Sequence, residues 1–149
     1  GPHVLGEALR AGYRSFDTAQ AWEWYDESAL GEAIAASDVP RSALFITTKV
    51  HPRDFGATST PEALRNSQVV LSTQVLDAVL LHYPGCWGSL CGSVKPEGGW
   101  REAWRALEAA YDAGTVRAIG VCNFAQRELA ELWAFARVQP HLVQNWMDP

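Results

Sequence analysis

The tightest constraint on the fold is the regular exchange of two hydrophobic periods along the chain. Short apolar runs with strand character, "YRSFDTA", "ALFITTKV", "VLDAVLLHY", "VRAIGV" and "HLVQN", alternate with segments whose apolar residues recur at three and four. "VLDAVLLHY" is almost continuously apolar, as expected of a strand covered on both faces. Residues 3–11 read as a helix closed by Gly12 at C′, followed later by "ESALGEAIAAS". Thr60 is a candidate N-cap, with Pro61 at the first helical position of "PEALRNSQVVLST". "WREAWRALEAAYDAG", closed by Gly114, and "QRELAELWAFARV" complete the helical set. A helix after each strand is the signature of parallel neighbours joined by right-handed crossovers, so the chain is predicted to be α/β with five parallel strands.

The 149 residues are one domain's worth, 1–149, with 48% apolar residues and a net charge of −5. Acidity without a Lys/Arg cluster argues against a nucleic-acid surface, and no apolar run reaches the roughly 20 residues of a membrane span. Cys86, Cys91 and Cys122 are odd in number and show no CxxC spacing. They are expected to be free thiols, with no metal site, in a reducing and therefore cytoplasmic setting; a processed N-terminus would leave an organelle open. Seven tryptophans suggest a packed interface or a flat-ligand pocket, with core filling the expected role for most of them. The loop "PGCWGSLCGSVKPEGG" lacks the Gly-Lys-Ser/Thr ending of a phosphate loop.

Polar residues fall in phase with the strands. Asp17 ends the first, Lys49 the second and His82 the third; Asn123 follows the fourth and Gln144 lies in the fifth. Side chains at the carboxyl ends of successive parallel strands converge on one mouth, where α/β barrels carry their chemistry.

These residues carry a resemblance. "GYRSFDTA", "ESALGEAI", "LFITTK", "LDAVLLHYP", "VRAIGVCNF" and "LVQNWMDP" resemble the aldo-keto reductase family in order and spacing, across essentially the whole chain. The resemblance implies a (β/α)8 TIM barrel, here an incomplete barrel of about five parallel βα units. It implies NADPH-dependent reduction of a small carbonyl compound. It assigns Asp17, Tyr25, Lys49 and His82 to catalysis, and Asp17, Cys122, Asn123 and Gln144 to the cofactor. Trp22, Trp24, His51 and Tyr83 fall to the substrate pocket.

The chemistry of these residue types agrees. Carbonyl reduction leaves an alkoxide that needs a proton, and a phenol, with an ordinary pKa of about 10, is a poor acid at neutral pH. An adjacent ammonium stabilises the phenolate; Lys49 is placed to do this, with Asp17 holding it and His82 orienting the carbonyl.

Five features depart from the family pattern. Cys122 stands where serine is usual, His51 where tryptophan is common, and Asp148-Pro149 where His-Pro is common. Barrels of this type need about 250 residues, and the segments matched here run from the family's first helix to its sixth strand. The family's grip on the adenosine 2′-phosphate and pyrophosphate lies beyond them, so these residues alone are expected to bind NADPH weakly or not at all. A five-stranded arc also leaves strand edges open for more of the same chain or for a protein partner. A non-catalytic relative serving in a larger assembly therefore stands as the alternative to a reductase. Its strongest support is "DTAQAWEWYDE". The family's tyrosine stands five residues after the aspartate and three before the glutamate; here the acids are two residues further apart. Counting forward reaches Trp22 and counting back reaches Trp24, so Tyr25 takes the site only if the loop bulges.

Overall fold

The computed structural model describes residues 1–146 and contains five strands and five α-helices in strict alternation after an initial helix. In chain order these are α1 (Pro2–Arg10), β1 (Ser15–Asp17), α2 (Glu27–Ala35), β2 (Phe45–Val50), α3 (Ser59–Val70), β3 (Ala78–Leu81), α4 (Trp100–Asp112), β4 (Ile119–Cys122), α5 (Gln126–Phe135) and β5 (Leu142–Gln144). All strand pairs are parallel, in the order β1-β2-β3-β4-β5, and together the five βα units form a curled half-barrel. The expected alternation and parallel sheet are therefore present.

Register brings the functional ends level. Asp17 pairs with Thr47, Lys49 with Leu80, and Cys122 with Gln144. β3 and β4 are buried along their whole length, which accounts for their unbroken apolar sequence. Leu107, Trp104 and Ala103 of α4, with Leu30 of α2 and Leu64 of α3, pack on Ile46, Val79, Leu81, Ile119 and Val121 to form the core.

Close approaches at two glycines fix the spacing of layers. A Cβ on Gly31 would collide with the Val70 carbonyl where α2 crosses the end of α3. One on Gly120 would meet the Leu142 carbonyl and the Leu80 side chain where β5 joins the sheet. Gly12 and Gly114 sit at C′ with φ of 96° and 72°, as the helix-closing pattern required.

Buried charges brace the end of the sheet opposite the mouth. Asp77, 2% exposed, accepts from Arg41 at 2.6 Å, Arg117 at 3.1 Å and the Ile46 amide at 3.0 Å. Two guanidinium partners and an amide compensate this carboxylate, because an unpaired buried charge costs several kcal/mol.

Three expectations are corrected. Thr60 is no N-cap: α3 starts at Ser59, two residues before Pro61, with Thr58 at the N-cap, and Thr60 is buried, donating to the Asp54 carbonyl at 2.9 Å and accepting the Gly56 amide at 3.2 Å. The orphan amides of Thr58 and Ser59 are met by Glu97 from the following loop, at 3.0 Å and 2.9 Å. Cys86 and Cys91 are not free thiols but joined in a disulfide, Cα to Cα 5.7 Å, because the glycine-rich loop turns back on itself between them. Cys122 is free and buried. Core filling explains only Trp100 and Trp104; Trp22, Trp24, Trp87, Trp133 and Trp146 are exposed. Asp148 and Pro149 lie outside the described residues. Among the described residues no helix is long and apolar enough to cross a membrane, and no group of three side chains can hold a metal ion.

Candidate active site

Lys49 is the hub of the mouth. The pleat of β2 turns Thr48 outward toward α2 and Lys49 inward, where it is fully buried. Its Nζ donates to Asp17 Oδ2 at 2.5 Å and to the Thr18 carbonyl at 3.1 Å. It also lies 4.6 Å from the centroid of the Tyr25 ring. Carboxylate, carbonyl and π face together offset the desolvation of a buried ammonium.

Of the three aromatics in "WEWY", Tyr25 is the one that faces Lys49. The chain makes a turn in which the Trp24 and Tyr25 amides both reach the Ala21 carbonyl, at 2.9 Å and 2.8 Å. Asp26 then caps α2 by accepting the Ala29 amide at 2.8 Å. The Tyr25 ring meets His82 edge-on, 5.7 Å between centroids.

His82 follows β3 and is 3% exposed. Burial, then the Lys49 ammonium, holds its pKa down at about 4, so at neutral pH the ring is uncharged and keeps one N–H donor. Its Nδ1 has no hydrogen-bond partner among the described residues. Tyr83 stacks on it at 4.6 Å and 16°, and Trp87 of the disulfide loop meets Tyr83 edge-on at 4.6 Å.

Cys122, Asn123 and Gln144 close the other side. Asn123 adopts the left-handed backbone, φ 59°, a conformation asparagine tolerates, and donates its amide to the His82 carbonyl at 3.0 Å and to Cys122 Sγ at 3.2 Å. Cys122 Sγ donates to Gln144 Oε1 at 3.5 Å, and burial pushes its thiol pKa up, keeping it protonated. Trp24, Tyr25, His82, Tyr83, Cys122, Asn123, Gln144, Asn145 and Trp146 surround a cavity of about 340 Å³.

The structure does not bring every candidate to this cavity. His51 is fully buried behind it, its ring 6.3 Å from that of His82; burial, and then Arg53, holds its pKa at about 4. Trp22 lies outside, its face 3.4 Å from the Arg53 guanidinium. Residues the sequence reading passed over surround it: Arg53 and Glu23 pair at 3.0 Å, and Glu27 accepts from Thr48 and Ser67 at 2.5 Å and 2.9 Å. Burial raises the Glu27 pKa despite those bonds. The opposite charges of Glu23 and Arg53 in successive βα loops were the available signal.

The residues fit the nicotinamide end of a dinucleotide. Gln144 and Asn123 are solvent-exposed amides at the cavity rim, the donor and acceptor groups a carboxamide needs. Among the described residues no lysine or arginine lines the cavity, so they offer no charged partner for phosphates.

Comparison with known proteins identifies the family of the chain. The model of the aldo/keto reductase family matches residues 3–149. The glyoxal reductase of Bacillus subtilis is 38% identical over 142 residues, 95% of this chain and 47% of its own. The 9,11-endoperoxide prostaglandin H2 reductase of Trypanosoma cruzi is 34% identical, over 95% of this chain and 46% of its own. Among solved structures, an aldo/keto reductase from Brucella melitensis superposes with a TM-score of 0.84 at 34% identity, covering 98% of this chain and 52% of that one. A Bombyx mori aldo-keto reductase in complex with NADP gives 0.86 at 28%, covering 98% and 48%. The chain thus spans about half the length of the relatives it matches. On the match over residues 3–149, the chain belongs to the aldo/keto reductase family.

Proposed function

We propose that the protein carrying these residues reduces small aldehydes or ketones to alcohols with NADPH. One observation carries the reading: a buried lysine held between Asp17 and the face of Tyr25, with neutral His82 beside them. When bound, the nicotinamide supplies hydride equivalents to the carbonyl carbon. Tyr25 gives its phenolic proton to the developing alkoxide, and the Lys49 ammonium stabilises the phenolate left behind. Asp17 holds the Lys49 ammonium in place by its hydrogen bond. His82 donates a hydrogen bond to the carbonyl oxygen and orients it. Gln144 and Asn123 hold the carboxamide, while Trp24 and Tyr83 wall the substrate. Relatives named as glyoxal reductase and codeinone reductase support a carbonyl substrate.

The test is an initial-rate assay of the full-length protein with glyoxal and 4-nitrobenzaldehyde, following NADPH consumption. Carbonyl-dependent consumption with alcohol formed in equal amount supports the reading. Absence of turnover with both, in protein shown to be folded, rejects it.

A further inference from the structure

The loop that presents Tyr25 has no strand or helix to hold it, yet it is pinned. Arg53, in the short 3-10 turn Pro52–Asp54 that follows β2, is 8% exposed although it carries a charge. Its Nη1 and Nη2 each donate to a different oxygen of Glu23, both at 3.0 Å. Nη2 also reaches the Gln20 carbonyl at 3.4 Å, and the guanidinium plane covers the Trp22 ring at 3.4 Å. One side chain therefore grips residues 20, 22 and 23 by a forked ion pair, a backbone contact and a stack. Only a planar, five-donor cation makes all three at once. Its own position is fixed from below: the Arg53 amide donates to His51 Nδ1 at 3.2 Å, and His51 is fully buried.

We infer that Arg53 is a positioning residue for the proton donor: by clamping Glu23 and Trp22 it holds the Ala21 turn that sets Tyr25 against Lys49 and His82. The mechanical link is short. Tyr25 lies two residues beyond Glu23, and its amide is tied to the Ala21 carbonyl at 2.8 Å. No strand or helix spans residues 18–26, so the arginine restrains conformational entropy that the loop would otherwise retain. The catalytic consequence rests on the reductase reading proposed above; the clamp itself does not.

Two variants of the full-length protein test it, Arg53→Met, which keeps the aliphatic stem, and Arg53→Lys, which keeps the charge without the fork. Two readouts are taken: amide hydrogen exchange along residues 20–25 and 45–50, and kcat and KM with NADPH and 4-nitrobenzaldehyde. In Arg53→Met, exchange at 21–25 is expected to rise tenfold or more while β2 stays protected. kcat should fall about 10- to 100-fold, the scale of an ångström-level misplacement of a reacting group, with KM for NADPH unchanged. Arg53→Lys should fall between wild type and Arg53→Met in both. Unchanged exchange at 21–25 would overturn the clamp. Faster exchange with unchanged kcat would overturn its coupling to Tyr25. Wild-type protein that shows the clamp by exchange yet turns over no carbonyl would remove the reductase reading and leave the clamp standing.

Discussion

Gln144 of β5 donates its side-chain amide to Asp17 of β1 at 3.1 Å, across 127 residues of sequence. The bond joins the two edge strands of the sheet across the mouth, which requires the arc to curl. It also divides the Asp17 carboxylate: one oxygen serves the Gln144 amide and the other the Lys49 ammonium. One aspartate thus links the group proposed to hold the cofactor to the group proposed to tune the acid.

Asp17→Asn is therefore expected to act on both stability and turnover. Lys49 is 1% exposed and would lose its counter-charge, whereas the Asp17 carboxylate is itself 41% exposed. The cost is accordingly placed at about 1–3 kcal/mol, below that of breaking a fully buried pair. Turnover should fall by about 10²-fold or more, as for loss of acid–base function. Denaturant unfolding and steady-state rates read the two separately.

The buried histidines set an acid limit. His51 and His82 have folded pKa values of about 4 against ordinary values of 6.5. Between those values the unfolded chain binds more protons than the folded one, so their contribution to stability is complete above about pH 6.5 and is lost as pH falls toward 4. His51→Gln should remove about half of that slope. Comparing the pH dependence of unfolding free energy for wild type and variant isolates the His51 share from His82 and from the carboxylates that titrate nearby.

Thiol counting reads the Cys86–Cys91 disulfide directly. With Cys86 and Cys91 joined and Cys122 buried, the native oxidised protein should show almost no reactive thiol among these three. Denaturation without reductant should release one of them, and denaturation with reductant all three. Intact mass before and after alkylation reads each state.

Gly31→Ala tests the packing of the helix layer. The added methyl would drive into the Val70 carbonyl, a backbone atom that cannot swing aside. A loss of about 1–3 kcal/mol is expected from overpacking, although alanine favours a helix over glycine by up to about 1 kcal/mol. Denaturant midpoints settle the sign.

The convergence of Asp17, Lys49 and His82 was legible in the sequence because two periodicities fixed it. One βα unit separates each pair, and the strand pleat turns alternate residues inward. The choice among Trp22, Trp24 and Tyr25 was not legible, since residue counts through a loop do not fix where its side chains point. Arg53 was missed because its partners Glu23 and Gln20 lie 30 and 33 residues away. No local pattern marks such a contact. The Cys86–Cys91 bond was misread for a similar reason: spacing in a glycine-rich loop says nothing about where the chain turns back. Glu97, capping α3 from 38 residues beyond Ser59, displaced the local Thr60 cap in the same way.

The central claim is that Tyr25, and neither neighbouring tryptophan, supplies the proton. The most direct measurement compares kcat of Tyr25→Phe and Trp24→Phe with wild type, using NADPH and 4-nitrobenzaldehyde, in protein whose fold is checked by circular dichroism. Tyr25→Phe keeps the ring beside Lys49 and removes only the hydroxyl, so kcat should fall by about 10²- to 10⁴-fold. Trp24→Phe should leave kcat within a few-fold. A Tyr25→Phe enzyme that turns over as wild type does would contradict the assignment.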